Sequence, residues 1–123
     1  MLAFLLSGCD KQKPVLVMNS QKITKETVYN VEQNFKIRQR INYALLMPKG
    51  FKDSVIRVQI IKKEQKTAYW GYKIYQAQDF AIDKGKNYYI NFFTIPEGGY
   101  YIMRIFELRD LDKPVAILDF WVK

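Results

Sequence analysis

The sequence predicts an all-β protein, an antiparallel β-sandwich of about seven or eight strands, and three observations carry that reading. Apolar and polar residues alternate with period two along the apolar segments. Turn clusters separate those segments at regular intervals. The segments are rich in aromatic and β-branched residues, and at 49% hydrophobic and 15% aromatic the chain has ample material for a core, which excludes disorder through low hydrophobicity.

The first predicted strand is PVLVMN (14–19), reached through the polar stretch DKQKP (10–14). The segment TKETVYNVEQNF (24–35) fits either a helix capped by Thr24, with Thr27, Val31 and Phe35 on one face, or an extended strand running on toward residue 47; its Thr, Val, Tyr and Asn content favours the strand. FKIRQRINYALLM (35–47) follows as a half-buried strand, with Phe35, Ile37, Ile41, Tyr43, Leu45 and Met47 on one face and Lys36, Arg38, Arg40 and Asn42 on the other. After the PKG turn (48–50), SVIRVQIIK (54–62) turns Ile56, Val58 and Ile60 one way and Arg57 and Gln59 the other. AYWGYKIYQ (68–76), YYINFFT (88–94), YYIMRIFEL (100–108) and VAILDFWV (115–122) complete the set, separated by KKEQKT, DKGKN, PEGG and RDLDKP. There is no repeat of fixed period and no low-complexity tract, so residues 14–123 read as one domain.

GGYYIMRIFEL (98–108) resembles the penultimate strand of immunoglobulin-like and fibronectin-like sandwiches, where a glycine-bearing turn leads to a tyrosine whose hydroxyl bonds back to the connecting loop. The resemblance implies an immunoglobulin/fibronectin-like fold, with Tyr101, in preference to Tyr100, at that corner. With Tyr101, Met103 and Ile105 inward, alternation turns Arg104 outward and Glu107 inward, so the pattern is imperfect. Such a sandwich hosts many functions and names none.

The N-terminal stretch MLAFLLSGCD places the only cysteine, Cys9, after the apolar run LAFLL and the small pair Ser7-Gly8. That run is far too short to span a bilayer, which takes about 20 residues as a helix. Leu6-Ser7-Gly8-Cys9 resembles the lipobox of bacterial lipoproteins, in which cleavage after the residue at Gly8 leaves the cysteine as a lipidated N-terminus. The competing reading, a strand with a core cysteine, is disfavoured because four consecutive positions match and a Lys-rich polar stretch follows. The sequence departs from the pattern in lacking a basic residue before Cys9. The resemblance implies a signal remnant at 1–8, a lipidated tether at 9–13 and attachment to a bacterial cell envelope. Asp10 resembles the signal that retains lipoproteins in the inner membrane, which places the domain on the periplasmic side where the host has two membranes.

For catalysis the chain offers little. It has no histidine, which rules out Ser-His-Asp and Cys-His arrangements and removes the usual nitrogen ligands for zinc. Asp110 and Asp112 are paired carboxylates, but RDLDKP reads as a turn in which Asp bonds its own backbone. Asp119 interrupts an apolar strand on the face of Val115, Ile117 and Trp121, and reads as an outward carboxylate with a polar neighbour. No enzyme, no metal and no cofactor is expected.

Charge and aromatics point to partners. The net charge of +8 favours anionic surfaces, and Lys11 and Lys13 lie beside the lipidated end; nucleic acid is not expected for an exported, lipid-anchored domain. Tyr69, Trp70, Tyr72, Tyr75, Tyr88, Tyr89, Phe92 and Phe93 crowd two consecutive strands, and period two sends them to both faces. Tyr69, Trp70, Tyr72, Tyr75 and Trp121 are therefore the candidate binding patch, either for an envelope protein or for a carbohydrate stacked on exposed rings. Cross-strand aromatic pairing accounts for the same composition without a ligand.

Overall fold

The computed structural model describes residues 13–64 and 71–123. Eight strands, β1 (Val15–Asn19), β2 (Asn34–Phe35), β3 (Ile41–Leu46), β4 (Val55–Glu64), β5 (Gly71–Ala81), β6 (Tyr88–Phe93), β7 (Gly99–Glu107) and β8 (Ala116–Val122), form two sheets. One has the order β1-β3-β6 and the other β2-β8-β7-β4-β5. All pairings are antiparallel except the two-residue β2, which runs parallel to β8. No α-helix occurs among the described residues.

The core lies between the sheets. Leu16, Met18, Ile41, Tyr43, Leu45 and Phe93 face Ile56, Val58, Ile60, Tyr101, Met103, Ile105 and Phe120, as the period-two pattern requires. The inward assignments for β4 and β7 hold. Glu107 is inward as well, where Oε2 accepts the backbone N–H groups of Lys52 (2.7 Å) and Asp53 (2.9 Å), so the buried carboxylate serves as a loop anchor.

Two sequence expectations are corrected. The segment 24–35 is neither a helix nor a long strand. It makes two overlapping hydrogen-bonded turns, Val28 N–H to the Thr24 carbonyl and Asn30 N–H to the Thr27 carbonyl, the first capped by the Thr24 hydroxyl accepting from Glu26 and Thr27, and only Asn34–Phe35 is strand. Polar Asn, Glu and Gln then carry it as a loop over the outer face of β1 and β3. Asn19 holds this loop through the Thr27 and Asn30 carbonyls, Glu32 accepts from Ser20, and Ile23 and Val28 pack on Val17, Ala44 and Leu46. That cover explains why β3 is buried on both faces.

The second correction is that 35–47 is not continuous. Residues 36–40 form a turn with Arg38 at φ 66°, its N–H bonded to the Ile95 carbonyl, so the chain crosses from the five-stranded to the three-stranded sheet there. Phe35 stays in the core, whereas Ile37 is exposed.

Candidate functional site

The side of the five-stranded sheet away from the core is built by register. Ile74 pairs with Ile61, Ile61 with Ile102 and Ile102 with Asp119; in the next row Gln59 pairs with Arg104 and Arg104 with Ile117. Ile61, Ile74, Ile102, Arg104 and Ile117 line a shallow depression of about 400 Å³. Isoleucine suits the pleat as a β-branched residue; of the four here, all outside the cluster between the sheets, Ile74 and Ile117 are exposed, Ile102 is half-buried and Ile61 is buried. Arg104 donates from Nε to Gln59 Oε1 (2.9 Å), fixing a cation at the rim.

Beside the isoleucines lies an aromatic row. Tyr100 and Trp121 are register partners with ring centroids 4.7 Å apart and planes tilted by 44°. The Tyr100 hydroxyl donates to Asp119 Oδ2 (2.8 Å), and Gln33 Nε2 donates to the Asp119 carbonyl (2.9 Å). Asp119 is thus outward, with a hydroxyl and an amide as partners, and it holds the Tyr100 ring against Trp121. Lys63 Nζ lies 6.0 Å from the Tyr100 ring and Lys123 Nζ 5.6 Å from the Trp121 ring. At the far end of the sheet Arg57 donates from Nε to Asp79 (2.8 Å), a hydrogen bond that holds the exposed Asp79 carboxyl below its ordinary value.

Of the aromatic patch read from the sequence, Trp121 is on this face. Tyr75 is not: a register shift in β4–β5 between Ile60 and Ile61 leaves it as an extra residue turned inward, edge-on to Tyr101 at 5.4 Å. Cys9, Gly8, Tyr69 and Trp70 lie outside the described residues, as does the Tyr72 side chain; the Tyr72 backbone pairs with Lys63, next to the Tyr100–Trp121 row. Sequence reasoning missed the isoleucines and Tyr100, since nothing local marks an outward Ile as different from an inward one.

Consecutive strands β5 and β6 are not paired with each other; they sit in opposite sheets. Their aromatics therefore meet across the sandwich, as Phe80 and Tyr89 do at 5.8 Å. Asp110 accepts the Asp112 N–H at 3.1 Å, the turn bond expected of RDLDKP. Among the described residues no group of three or more His, Cys, Asp or Glu side chains comes together, and no helix is long and apolar enough to cross a membrane.

The buried phenols are perturbed. Burial, reinforced by Tyr89, pushes Tyr43 well above the ordinary tyrosine range. Burial, with Tyr75 and Glu97 adding to it, pushes Tyr101 up to about 12. The Tyr101 hydroxyl donates to the Glu97 carbonyl at 2.6 Å, tying β7 to the loop before it.

No protein-family model and no curated protein matches the chain. Among solved structures it is similar to the soluble domain of PmoD from Methylocystis sp., at 13% identity and a TM-score of 0.54, covering 89% of this chain and 90% of that one. It is also similar to a variant of superoxide reductase (neelaredoxin) from Ignicoccus hospitalis, at 10% identity and a TM-score of 0.50, covering 96% and 86%. At such identity the likeness is one of fold: two β-sheets packed as a sandwich.

Proposed function

We propose that the chain is a non-enzymatic, lipid-anchored protein of the bacterial cell envelope, whose immunoglobulin/fibronectin-like sandwich docks another envelope protein through the outer face of the five-stranded sheet. The observation that carries the docking reading is the outward row in which Ile74 and Ile117 are exposed, Ile102 is half-buried and Ile61 is buried, next to Trp121 and Tyr100. Arg104 and Lys63 border that row, which fits a partner surface with an apolar centre and acidic rim. The immunoglobulin-like reading is supported by the Tyr101–Glu97 bond and by the pairing of β8 with β7 and of β7 with β4 in one sheet, opposite β1-β3-β6.

The lipid anchor rests on Leu6-Ser7-Gly8-Cys9, and inner-membrane retention on Asp10. The non-enzymatic reading is supported by a sequence without histidine. A carbohydrate ligand is the second reading, favoured by the outward pair of exposed Trp121 and half-buried Tyr100. The tilt of the rings and the lysines beside both make that pair a poorer flat platform for a sugar than an anchor for a protein.

Two measurements test the proposal. Intact mass of the membrane-extracted protein should show a chain beginning at Cys9 with a lipid adduct, fractionating with the inner membrane; a free N-terminus retaining Met1 refutes the anchor. Cross-linking in the native host should capture a defined envelope protein. Ile102→Asp with Ile117→Asp should abolish that capture while circular dichroism stays unchanged. Retention of the same partner by the double variant would remove this face from the docking reading, and glycan-array binding lost in Trp121→Ala would replace it with the sugar reading.

A further inference from the structure

The three-stranded sheet leaves part of its outer face uncovered. The loop 20–33 shields β1 and β3, but β6 is an edge strand whose outward residues Tyr88, Ile90 and Phe92 are 47%, 46% and 48% exposed. An apolar edge strand without charges invites unwanted pairing unless something covers it. Cations accompany the stripe at both ends: Lys86 Nζ lies 4.7 Å from the Tyr88 ring, and the Arg40 guanidinium lies 3.7 Å from the Phe92 centroid. The turns 48–50 and 83–87 are bonded to each other, Met47 N–H to the Asn87 carbonyl and Gly85 N–H to the Phe51 carbonyl, so the exposed Lys49 and Lys84 share the apex with Lys86. Asp83 is the acidic group beside them, lining a groove of about 310 Å³ along Tyr88, Tyr89 and Ile90.

The direction of the chain joins this face to the anchor. Val15 pairs with Leu46 and Leu46 with Tyr88, so the strand that follows the tether begins in the row of Tyr88. Cys9 is six residues before Val15, a reach of at most about 20 Å. A domain held that close to a bilayer can lay an aromatic and aliphatic stripe, flanked by basic side chains, into the head-group region, where aromatic side chains concentrate and each basic residue near an anionic surface strengthens binding by about fivefold.

We propose that the β6 face, Tyr88, Ile90 and Phe92 with Lys84, Lys86 and Arg40, is a site for the surface of an anionic phospholipid bilayer, which turns the five-stranded sheet away from the membrane toward its partner. The orientation rests on the lipid anchor; the lipid site itself does not. The full 123-residue chain carrying Cys9→Ser, and so unacylated, is mixed with large vesicles of phosphatidylcholine alone or of equal phosphatidylcholine and phosphatidylglycerol. It should sediment with the anionic vesicles, and less so as salt rises. Tyr88→Asp with Ile90→Asp should weaken that binding tenfold or more, and Lys84→Glu with Lys86→Glu by a similar factor, with circular dichroism and Tm close to the parent's. All these chains share residues 1–14, so the difference reads the sheet face alone. Unchanged vesicle binding by the Asp double variant overturns the proposal. So does a parent that is dimeric by sedimentation and becomes monomeric in the double variant without loss of vesicle binding, since β6 then pairs with a second copy. A host protein whose Cys9 is not acylated would refute the anchor and leave this vesicle result untouched.

Discussion

Tyr101 and Glu107 show how much a single polar atom decides in this core. Both are buried, and both use one side-chain oxygen to hold a loop at an end of β7: Tyr101 the loop at Glu97, Glu107 the loop at Lys52 and Asp53. Tyr101→Phe removes one hydrogen bond and leaves the Glu97 carbonyl near solvent, so it should cost about 1 kcal/mol. Glu107→Ala deletes the acceptor for two backbone N–H groups and should cost about 2–3 kcal/mol, with Glu107→Gln in between because it keeps one acceptor oxygen. Urea unfolding of the three variants checks the ranking; equal midpoints for Glu107→Ala and the parent would mean that the Lys52 and Asp53 amides find other partners.

The turns place the strands, and two glycines of positive φ divide that task unequally. Gly50, at φ 77°, has the Gly85 carbonyl oxygen only 3.0 Å from where a Cβ would sit, whereas Gly85, at φ 87°, has open space there. Gly85→Ala therefore meets only the left-handed backbone penalty, about 1 kcal/mol. Gly50→Ala adds a clash with backbone that cannot swing aside, and should cost about 2–3 kcal/mol. Thermal unfolding should place the Gly50→Ala Tm clearly below that of Gly85→Ala, and the reverse order would show that the two turns can separate freely. The β4–β5 irregularity at Tyr75 acts at the same level: one extra residue turns a ring from the outer face to the core and leaves Ile74 in its place.

The packed sandwich as a unit should respond to alkali. The Tyr43 and Tyr101 phenols are raised above the ordinary value near 10, Tyr101 to about 12, because burial disfavours the phenolate. A raised folded value means that the unfolded chain loses its protons first as pH rises. The contribution of these groups to stability is therefore complete below about pH 10 and is lost as pH rises toward the folded values. Tm should be insensitive to them up to about pH 9 and fall between about pH 10 and 12. Phenolate absorbance from Tyr43 and Tyr101, read as the difference between the parent and the Tyr43→Phe and Tyr101→Phe variants, should then appear only with loss of the circular dichroism signal. Ionisation of Tyr43 and Tyr101 near pH 10 with the fold intact would contradict this burial.

Most strands, and the inward faces of β4 and β7, were readable from the chain alone, because side-chain period two is a local property and each sheet has one face on the core. Tyr101 could be singled out for the same reason: its position after a glycine turn is written in order along the chain. Segments 24–35 and 36–40 have a composition that suits extended chain, but their course is set by contacts with other elements: Asn19 at the end of β1, Ala44 in β3 and Ile95 after β6. On the outer face Arg104, Asp119 and Trp121 were legible; the isoleucine row was not. Ile61, Ile74, Ile102 and Ile117 lie on four strands, and only the register of those strands brings them together. The same holds for β6, whose exposed stripe follows from its place at a sheet edge, beyond the reach of the loop that covers its neighbours.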